Sequence, residues 1–176
     1  IEDKEKRELD YDDIGYVLST PNVPEFLTGR EFLKFFIDIN EDKIKNKKTI
    51  DEYFDFMKID TEDRDKLLKD YSHGMKQKLC LVASLLHSPK IWILDEPTVG
   101  LDIMAVEELK KMMREYANHG NTVFVTSHNI ELVSKICDRV AIINNGKVVE
   151  LFDLNKNPNK RLQLAKIFIE TYGGRE

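Results

Sequence analysis

The chain has 176 residues, of which 41% are hydrophobic and 34% are charged, so it suits a globular domain with its own core and not a disordered segment. Its net charge of −5 argues against the broad basic surface that nucleic-acid binding requires. No apolar stretch approaches the ~20 residues that span a bilayer and no signal peptide is visible, so we expect any membrane role to come through a partner.

The first half of the chain combines one strand with a helical block. Ile14–Leu18 is a short apolar run between acidic residues and a serine-proline turn, which predicts a buried strand. A helix is predicted from His73 to His87, because the second half of this segment is apolar nearly all round. Residues 28–88 are therefore expected to be mostly helical. Two capping boxes predict the starts of two earlier helices in this block: Thr28 with Glu31, and Thr49 with Glu52.

After Pro89 the pattern changes to alternating strands and helices. Ile91–Leu94 is an apolar strand that ends in acidic residues, and Thr122–Thr126 is a β-branched strand. Between them, Asp102 can cap a helix that Gly120 ends. This alternation predicts an α/β fold with a mostly parallel sheet covered on both faces by helices, and the helical block is inserted between the first and second strands.

The last part of the chain predicts a short helix, a hairpin and a final helix. Ile130–Ile136 follows the capping residue Asn129, and Asn145–Gly146 is a strong hairpin-turn signal between two strands. The predicted strands are Val140–Ile143 and Lys147–Leu151. The final helix is predicted from its apolar residues, which are Leu162, Leu164, Ala165, Ile167 and Phe168.

Polar residues follow several of the predicted strands. Parallel sheets place ligands at the carboxyl ends of their strands, and Ser19, Asp95, Glu96 and His128 each come after a strand. Asp95 can hold Mg²⁺ directly or through water, since this ion takes oxygen ligands and needs only one or two carboxylates. Glu96 can act as general base on an attacking water. A strand that ends in a solvated acidic turn would give the same short pattern.

Three longer segments settle the interpretation by resemblance. Ile93–Asp102 (ILDEPTVGLD) resembles the Walker B motif and D-loop of ATP-binding cassette (ABC) ATPases almost letter for letter. Tyr71–Gln77 (YSHGMKQ) resembles the signature motif of that family, usually Leu-Ser-Gly-Gly-Gln. Ser72 can cap the helix there, and a helix start with free N–H groups suits a phosphate. Val125–His128 (VTSH) resembles the H-loop.

The resemblance implies an enzyme that binds and hydrolyses ATP with Mg²⁺. It implies Asp95 as the metal-binding residue, Glu96 as the catalytic base and His128 as a catalytic contact of the γ-phosphate. Ser19 stands where the family's Q-loop usually has glutamine, and serine is too short to reach a metal-bound water as glutamine does. The nucleotide-contacting residues that the resemblance implies are Ser19, Ser72, His73, Gly74, Met75 and Asp102.

The same resemblance implies a P-loop NTPase-like ABC ATPase core with an inserted helical subdomain. It divides the chain into residues 1–27 with the core strand and Q-loop region, 28–88 with the helical subdomain and signature, 89–153 with the Walker B, D-loop and H-loop segments, and 154–176 with a C-terminal helix. None of the eight glycines begins the phosphate-binding pattern GxxxxGK[ST] (Walker A). We therefore expect the N-terminal strands and the P-loop to lie upstream, so that this chain is a fragment and inactive alone.

The leading interpretation is the ATP-binding subunit of an ABC transporter. It implies that two such subunits pair and power a separate transmembrane permease at the cytoplasmic face of the cell membrane. The YSHGMKQ form looks most like subunits of drug, lantibiotic or bacitracin exporters. Two alternatives stay open. One is a soluble ABC ATPase of the translation-factor type, and the other is a truncated, non-catalytic binding module, which the missing P-loop favours.

Overall fold

The computed structural model describes residues 8–44, 48–156, 159–161, 164, 166 and 168, which form two compact units that divide between Thr126 and Ser127. The first unit contains β1 (Ile14–Val17), α1 (Gly29–Ile39), α2 (Ile50–Met57), α3 (His73–Ala83), β2 (Ile91–Asp95), α4 (Ile103–Asn118) and β3 (Thr122–Thr126). The second contains α5 (Ile130–Ile136), β4 (Arg139–Asn144) and β5 (Lys147–Asp153). No helix among these residues is both long enough and apolar enough to cross a bilayer.

The first unit is built on a three-stranded parallel sheet. Its strand order is β1-β2-β3, so that β2 lies in the centre. Val17 is opposite Leu94, and Asp95 is opposite Thr126. The predicted parallel sheet and the insertion of the helical block between β1 and β2 are thus confirmed. The register brings the carboxyl ends of the three strands to one edge of the sheet, beyond Val17, Asp95 and Thr126.

The two faces of this sheet differ in their burial. Trp92 on β2 is fully buried, where its indole Nε1 donates to Ser84 Oγ at 2.9 Å and its ring meets Tyr116 of α4 edge-on. On the opposite face, Tyr16 and Phe124 flank Ile93, and both are 54% exposed. The prediction of a sheet covered on both faces is therefore wrong for the part of the chain that the structure describes. Tyr116 of α4 and Ser84 after α3 contact Trp92 on one face of the sheet, and Tyr16 on the other face is exposed to solvent.

The predicted capping boxes at the starts of α1 and α2 in the helical block are confirmed. Thr28 Oγ1 accepts the backbone N–H of Glu31 at 3.2 Å, and the Glu31 carboxylate accepts the Thr28 N–H at 2.8 Å. The same reciprocal box stands at Thr49 and Glu52. Leu33, Phe54 and Leu79 are fully buried where α1, α2 and α3 pack together. This core holds α3 in place at the edge of the sheet.

The predicted extension of α3 to His87 is wrong, because α3 ends at Ala83 and residues 84–87 form turns. The Ser84 hydroxyl donates to the Leu81 carbonyl at 2.8 Å and accepts the Trp92 indole N–H. Ser88 then has a left-handed φ of 53° before Pro89. A tertiary contact with β2 and a left-handed residue therefore end a helix that the apolar pattern alone would continue.

The second unit is centred on the predicted hairpin. Asn145 and Gly146 have φ values of 49° and 72°, as expected for a two-residue turn that matches the strand twist. β4 and β5 are longer than predicted, with an irregularity in register at Ile142/Ile143. Residues 159–161, 164, 166 and 168 are helical, and Leu164 is buried against Phe152 and Leu154. Of the predicted final helix, Leu162, Ala165 and Ile167 lie outside the described residues.

Candidate functional site

Two carboxylates lie at the tip of the central strand. Asp95 is the last residue of β2, and its Oδ1 accepts the hydroxyl of Thr126 at 2.5 Å. The backbone N–H of Glu96 donates to the carbonyl of Thr126 at 3.1 Å and to its Oγ1 at 3.2 Å. Thr126 therefore fixes both the Asp95 side chain and the backbone from which the Glu96 side chain projects.

The segment Asp95–Asp102, which we call the acidic turn, reverses the chain between β2 and α4. Glu96 has a φ of 44°, a conformation that is uncommon for a residue with a side chain and is often found at functional sites. The N–H of Val99 donates to the Glu96 carbonyl at 3.2 Å, and the N–H of Leu101 donates to the Thr98 carbonyl at 3.3 Å. Two successive turns thus give the acidic turn a defined shape.

The predicted cap at Asp102 is confirmed. Its Oδ1 accepts the N–H of Ala105 at 2.9 Å at the start of α4. This hydrogen bond lowers the pKa of the Asp102 carboxyl, and the nearby charge of Lys78 lowers it further. Asp102 is therefore ionised at neutral pH and has a structural role as a helix cap, while its contact with nucleotide stays a prediction.

The predicted cap at Ser72 is also confirmed. Ser72 precedes α3, and its Oγ accepts the N–H of Met75 at 3.2 Å. Ser72 and His73 are exposed, while Gly74 and Met75 are half-buried. The start of α3 therefore faces solvent at its first two residues, as a helix terminus that receives a phosphate must.

The structure brings the start of α3 against the acidic turn of the same chain. A Cβ atom on Gly74 would stand 2.7 Å from the carbonyl oxygen of Gly100. A Cβ atom on Gly100, which has a φ of 75°, would stand 2.3 Å from Cδ2 of His73. The predicted signature residues and the segment that follows Glu96 are therefore neighbours.

Ser19 lies at the same edge of the sheet, two residues after the end of β1. The preceding residue, Leu18, accepts a hydrogen bond through its carbonyl from Nε2 of Gln77 at 3.3 Å. Gln77 is fully buried in α3, and its Oε1 has no hydrogen-bond partner in the structure. One buried side chain thus connects α3 with the chain segment at Ser19.

His128 belongs to the second unit, where it lies between the end of β3 and the start of α5. It is exposed, and it sits in a turn in which Ser127 Oγ accepts the N–H of Asn129 at 3.1 Å. Asn129 caps α5 through its Oδ1, which accepts the N–H of Leu132 at 2.9 Å. Within the first unit, the structure brings His73 and Gly74 against Gly100 of the acidic turn, which begins with Asp95 and Glu96 and ends at Asp102.

The donor set fits Mg²⁺ bound together with a polyphosphate. Among the described residues, no group of three or more histidine, cysteine or acidic side chains is placed to hold a metal by itself. Asp95 is half-buried at the strand tip with its orientation set by Thr126. A single oriented carboxylate is what this ion needs when phosphate oxygens and waters supply its other ligands.

Two contacts in the candidate site, those of Thr126 with Asp95 and of Gln77 with Leu18, are not predicted from the sequence. The sequence predicts Thr126 as the last residue of its strand and as part of the VTSH segment, two residues before His128, but it does not predict the pairing of Thr126 with Asp95. The sequence predicts Gln77 only as the last residue of the signature segment Tyr71–Gln77. A buried glutamine in an otherwise apolar helix was the signal available, since such a side chain requires a specific partner.

Comparison with known proteins places these features in one family. The profile described as ABC transporter matches residues 2–99. The uncharacterized ABC transporter ATP-binding protein YhcH of Bacillus subtilis is 39% identical over 142 residues, which are 78% of this chain and 45% of that protein. The bacitracin transport ATP-binding protein BcrA of Bacillus licheniformis is 36% identical over 151 residues, covering 84% of this chain and 48% of BcrA. The chain thus spans about half the length of these relatives.

A solved structure shares the fold. It is a dimeric ATP-binding cassette in a post-hydrolysis state, bound to ADP and Pi, and it superposes with a TM-score of 0.67 at 21% identity. The match covers 85% of this chain and 69% of the solved one. At this identity the likeness concerns the fold alone.

Proposed function

This chain belongs to the ABC transporter family, and on that premise we propose that the complete gene product is the ATP-binding and ATP-hydrolysing subunit of an exporter. The observation that supports this best is the acidic turn, in which Thr126 orients Asp95 and anchors the backbone of Glu96. The resemblance to bacitracin-type ATPases that the motifs predicted is confirmed by the relative BcrA. Export as the direction of transport rests on the name of another relative, the fluoroquinolones export ATP-binding protein MT2762 of Mycobacterium tuberculosis, which is 32% identical over 141 residues.

The proposed chemistry assigns one role to each carboxylate. Asp95 would hold Mg²⁺, which neutralises charge on the phosphates of ATP. A water attacks the γ-phosphorus and gives its proton to the Glu96 carboxylate, while the bond to the bridging oxygen of ADP breaks. The Glu96 side chain can be positioned for this step because its backbone N–H is bonded twice to Thr126. His128 is proposed as a contact of the γ-phosphate.

We propose further that the protein works as a pair, with the start of α3 on one subunit facing ATP held by the other. Ser72 and His73 are exposed at a helix N-terminus, where the backbone dipole favours a phosphate. The structurally similar cassette is dimeric and bound to ADP and Pi, which supports the pairing. A phosphate between two subunits would join them until hydrolysis releases them.

A separate permease is the proposed membrane partner, and it would hold the ATPase at the cytoplasmic face of the membrane. A groove of about 650 Å³ in the first unit supports this, because it opens beside the end of β1 and the start of the helical block. Three aromatic side chains that line it are largely exposed: Phe26 at 78%, Phe35 at 55% and Tyr16 at 54%. Exposed aromatic groups in a concave surface are suited to receive a partner's apolar segment.

Phe35→Asp in the complete gene product is expected to weaken binding to the permease about tenfold or more, because a charge replaces an aromatic anchor. Co-purification of the two proteins in detergent measures this. Phe56→Asp is the matched control, since Phe56 is 47% exposed on α2 and does not line the groove. Equal binding by the Phe35 and Phe56 variants would argue against the groove as the permease site.

The 176-residue chain by itself is expected neither to bind nor to hydrolyse Mg-ATP appreciably, since it contains no GxxxxGK[ST] cradle for the phosphates. Equilibrium dialysis against Mg-ATP, in parallel with the complete gene product, tests this. Micromolar binding by the 176-residue chain would contradict the prediction. Absence of binding by the complete product as well would favour the non-catalytic binding module, the second candidate, which the missing P-loop pattern supports.

A further inference from the structure

His73 stands where the signature motif of the family usually has a glycine, and its ring lies on the acidic turn of its own chain. A Cβ atom built on Gly100 would be 2.3 Å from Cδ2 and 3.1 Å from Cγ of this ring. Real Cβ atoms do not approach a ring so closely. The imidazole therefore fills the space in which a side chain at Gly100 would lie.

The backbone contact beside this ring is equally close. A Cβ atom on Gly74 would be 2.7 Å from the Gly100 carbonyl oxygen and 3.8 Å from Cδ2 of Leu101. Gly100 also has a left-handed φ of 75°, which disfavours any side chain at that position. The first turn of α3 and the acidic turn thus meet through two glycines, and His73 covers the contact on one side.

Each side of this contact carries a part of the proposed reaction. Ser72, adjacent to His73, is the exposed cap at which a phosphate would arrive. Glu96 and Gly100 both lie within two overlapping turns, in which the Val99 N–H donates to the Glu96 carbonyl and the Leu101 N–H donates to the Thr98 carbonyl. The first turn of α3 therefore packs on a short segment of defined shape that leads back to Glu96.

We propose that His73 is a positioning residue that holds the acidic turn against the start of α3, so that engagement of a phosphate at Ser72 and placement of Glu96 in the same chain are coupled. This inference rests on the proposed ATPase function. It assigns to the imidazole a packing role within its own chain, in place of the direct nucleotide contact that the motif alone implies.

The kinetic test uses the complete gene product with three histidine variants. His73→Ala is expected to lower kcat about tenfold, since small misplacements of a catalytic group have effects of this order, with the Kd for ATP unchanged. His73→Phe keeps a flat ring and removes the ring nitrogens, so it is expected to retain kcat within about twofold of the wild type if packing is the role. His119→Ala, an exposed histidine at the end of α4, is the control.

A compensating pair of substitutions tests the contact itself. Gly100→Ala is expected to lower kcat about a hundredfold, because the new methyl group meets the His73 ring and the backbone there is left-handed. Adding His73→Ala removes the ring, so the double variant is expected to be faster than Gly100→Ala alone. A double variant that is as slow as Gly100→Ala, or slower, would overturn the proposal. If the Gly100 variants do not fold, the His73 series decides the matter.

Hydrogen exchange in the absence of nucleotide separates this inference from the proposed function. His73→Ala is expected to speed exchange in the peptide containing Val99 and Leu101, whereas His73→Phe and His119→Ala leave it unchanged. If the wild type shows no ATPase activity, the proposed function fails and exchange still tests the contact. Unchanged exchange in His73→Ala, unchanged kcat in His73→Ala, or a loss of ATP affinity that His73→Phe does not restore would each overturn the positioning role.

Discussion

Glu96→Gln is expected to lower ATP turnover of the complete gene product by about a hundredfold or more, since general-base catalysis contributes ~10²–10⁴-fold. Glutamine has the shape of glutamate and cannot take a proton from the attacking water. ATP binding should be retained, and ATP-bound pairs should accumulate because hydrolysis no longer separates them. Phosphate release measures turnover, and size-exclusion chromatography with Mg-ATP measures pairing.

The structure indicates that this substitution leaves the backbone around residue 96 unchanged. The position of residue 96 is set by its backbone N–H, which donates to Thr126, and not by its side chain alone. The variant should therefore keep the acidic turn intact. Glu62→Gln, at an exposed position in the helical block, is the matched control. Turnover at the wild-type rate in Glu96→Gln would remove Glu96 as the base.

Ser72→Arg is expected to abolish ATP-driven pairing and to reduce turnover about a hundredfold or more. The arginine side chain would fill the space that the γ-phosphate of ATP held by the second subunit needs. ATP binding by the monomer should be unaffected if the signature acts only across the pair. Arginine also removes the cap on Met75, which is worth about 1 kcal/mol at a typical helix start. Ser72→Ala removes the same cap without adding bulk, and it is therefore the control.

Mixing Ser72→Arg with Glu96→Gln tests whether the signature acts across the pair. If it does, one composite site of a mixed pair combines an intact Ser72 from one subunit with an intact Glu96 from the other. Turnover should then rise above that of either variant alone. If the signature acts within its own subunit, every site carries one defect and mixing restores nothing. Loss of ATP binding by the Ser72→Arg monomer would also favour action within one subunit.

The parts of this fold that were predictable depend on residues close in sequence. A capping box joins Thr28 to Glu31, three positions away, so the pattern can be read directly. The caps at Ser72 and Asp102 and the Asn145–Gly146 turn are equally local, and the structure confirms them. Such interactions can be predicted from sequence because both partners lie within a few residues of each other.

The parts that were missed depend on contacts between distant segments. Trp92 bonds Ser84 and so helps to end α3 four residues early, a contact that no helical periodicity contains. The bond from Gln77 to Leu18 joins residues 59 positions apart, and the bond from Thr126 to Asp95 joins residues 31 positions apart. The solvent exposure of Tyr16 and Phe124 on one face of the sheet also depends on which face the helices pack against.

The candidate site divides in the same way. The identities of Asp95, Glu96 and Ser72 followed from motifs, whereas the packing of His73 on Gly100 is visible only in three dimensions. The roles of Asp95 and Glu96 and the domain boundaries at residues 27, 88 and 153 stay predictions. So do the nucleotide contacts assigned to Ser19, Ser72, His73, Gly74, Met75, Asp102 and His128.

The buried indole on β2 gives this protein an internal optical reporter. Trp92 is the only tryptophan of the chain, and it lies three residues before Asp95 with Tyr116 at a ring-to-ring distance of 5.6 Å. Its fluorescence emission therefore comes from a single environment, which is dry while the sheet is intact. Entry of water there would shift the emission to longer wavelengths. Loosening of the strand that carries the carboxylates can thus be followed without attaching a dye.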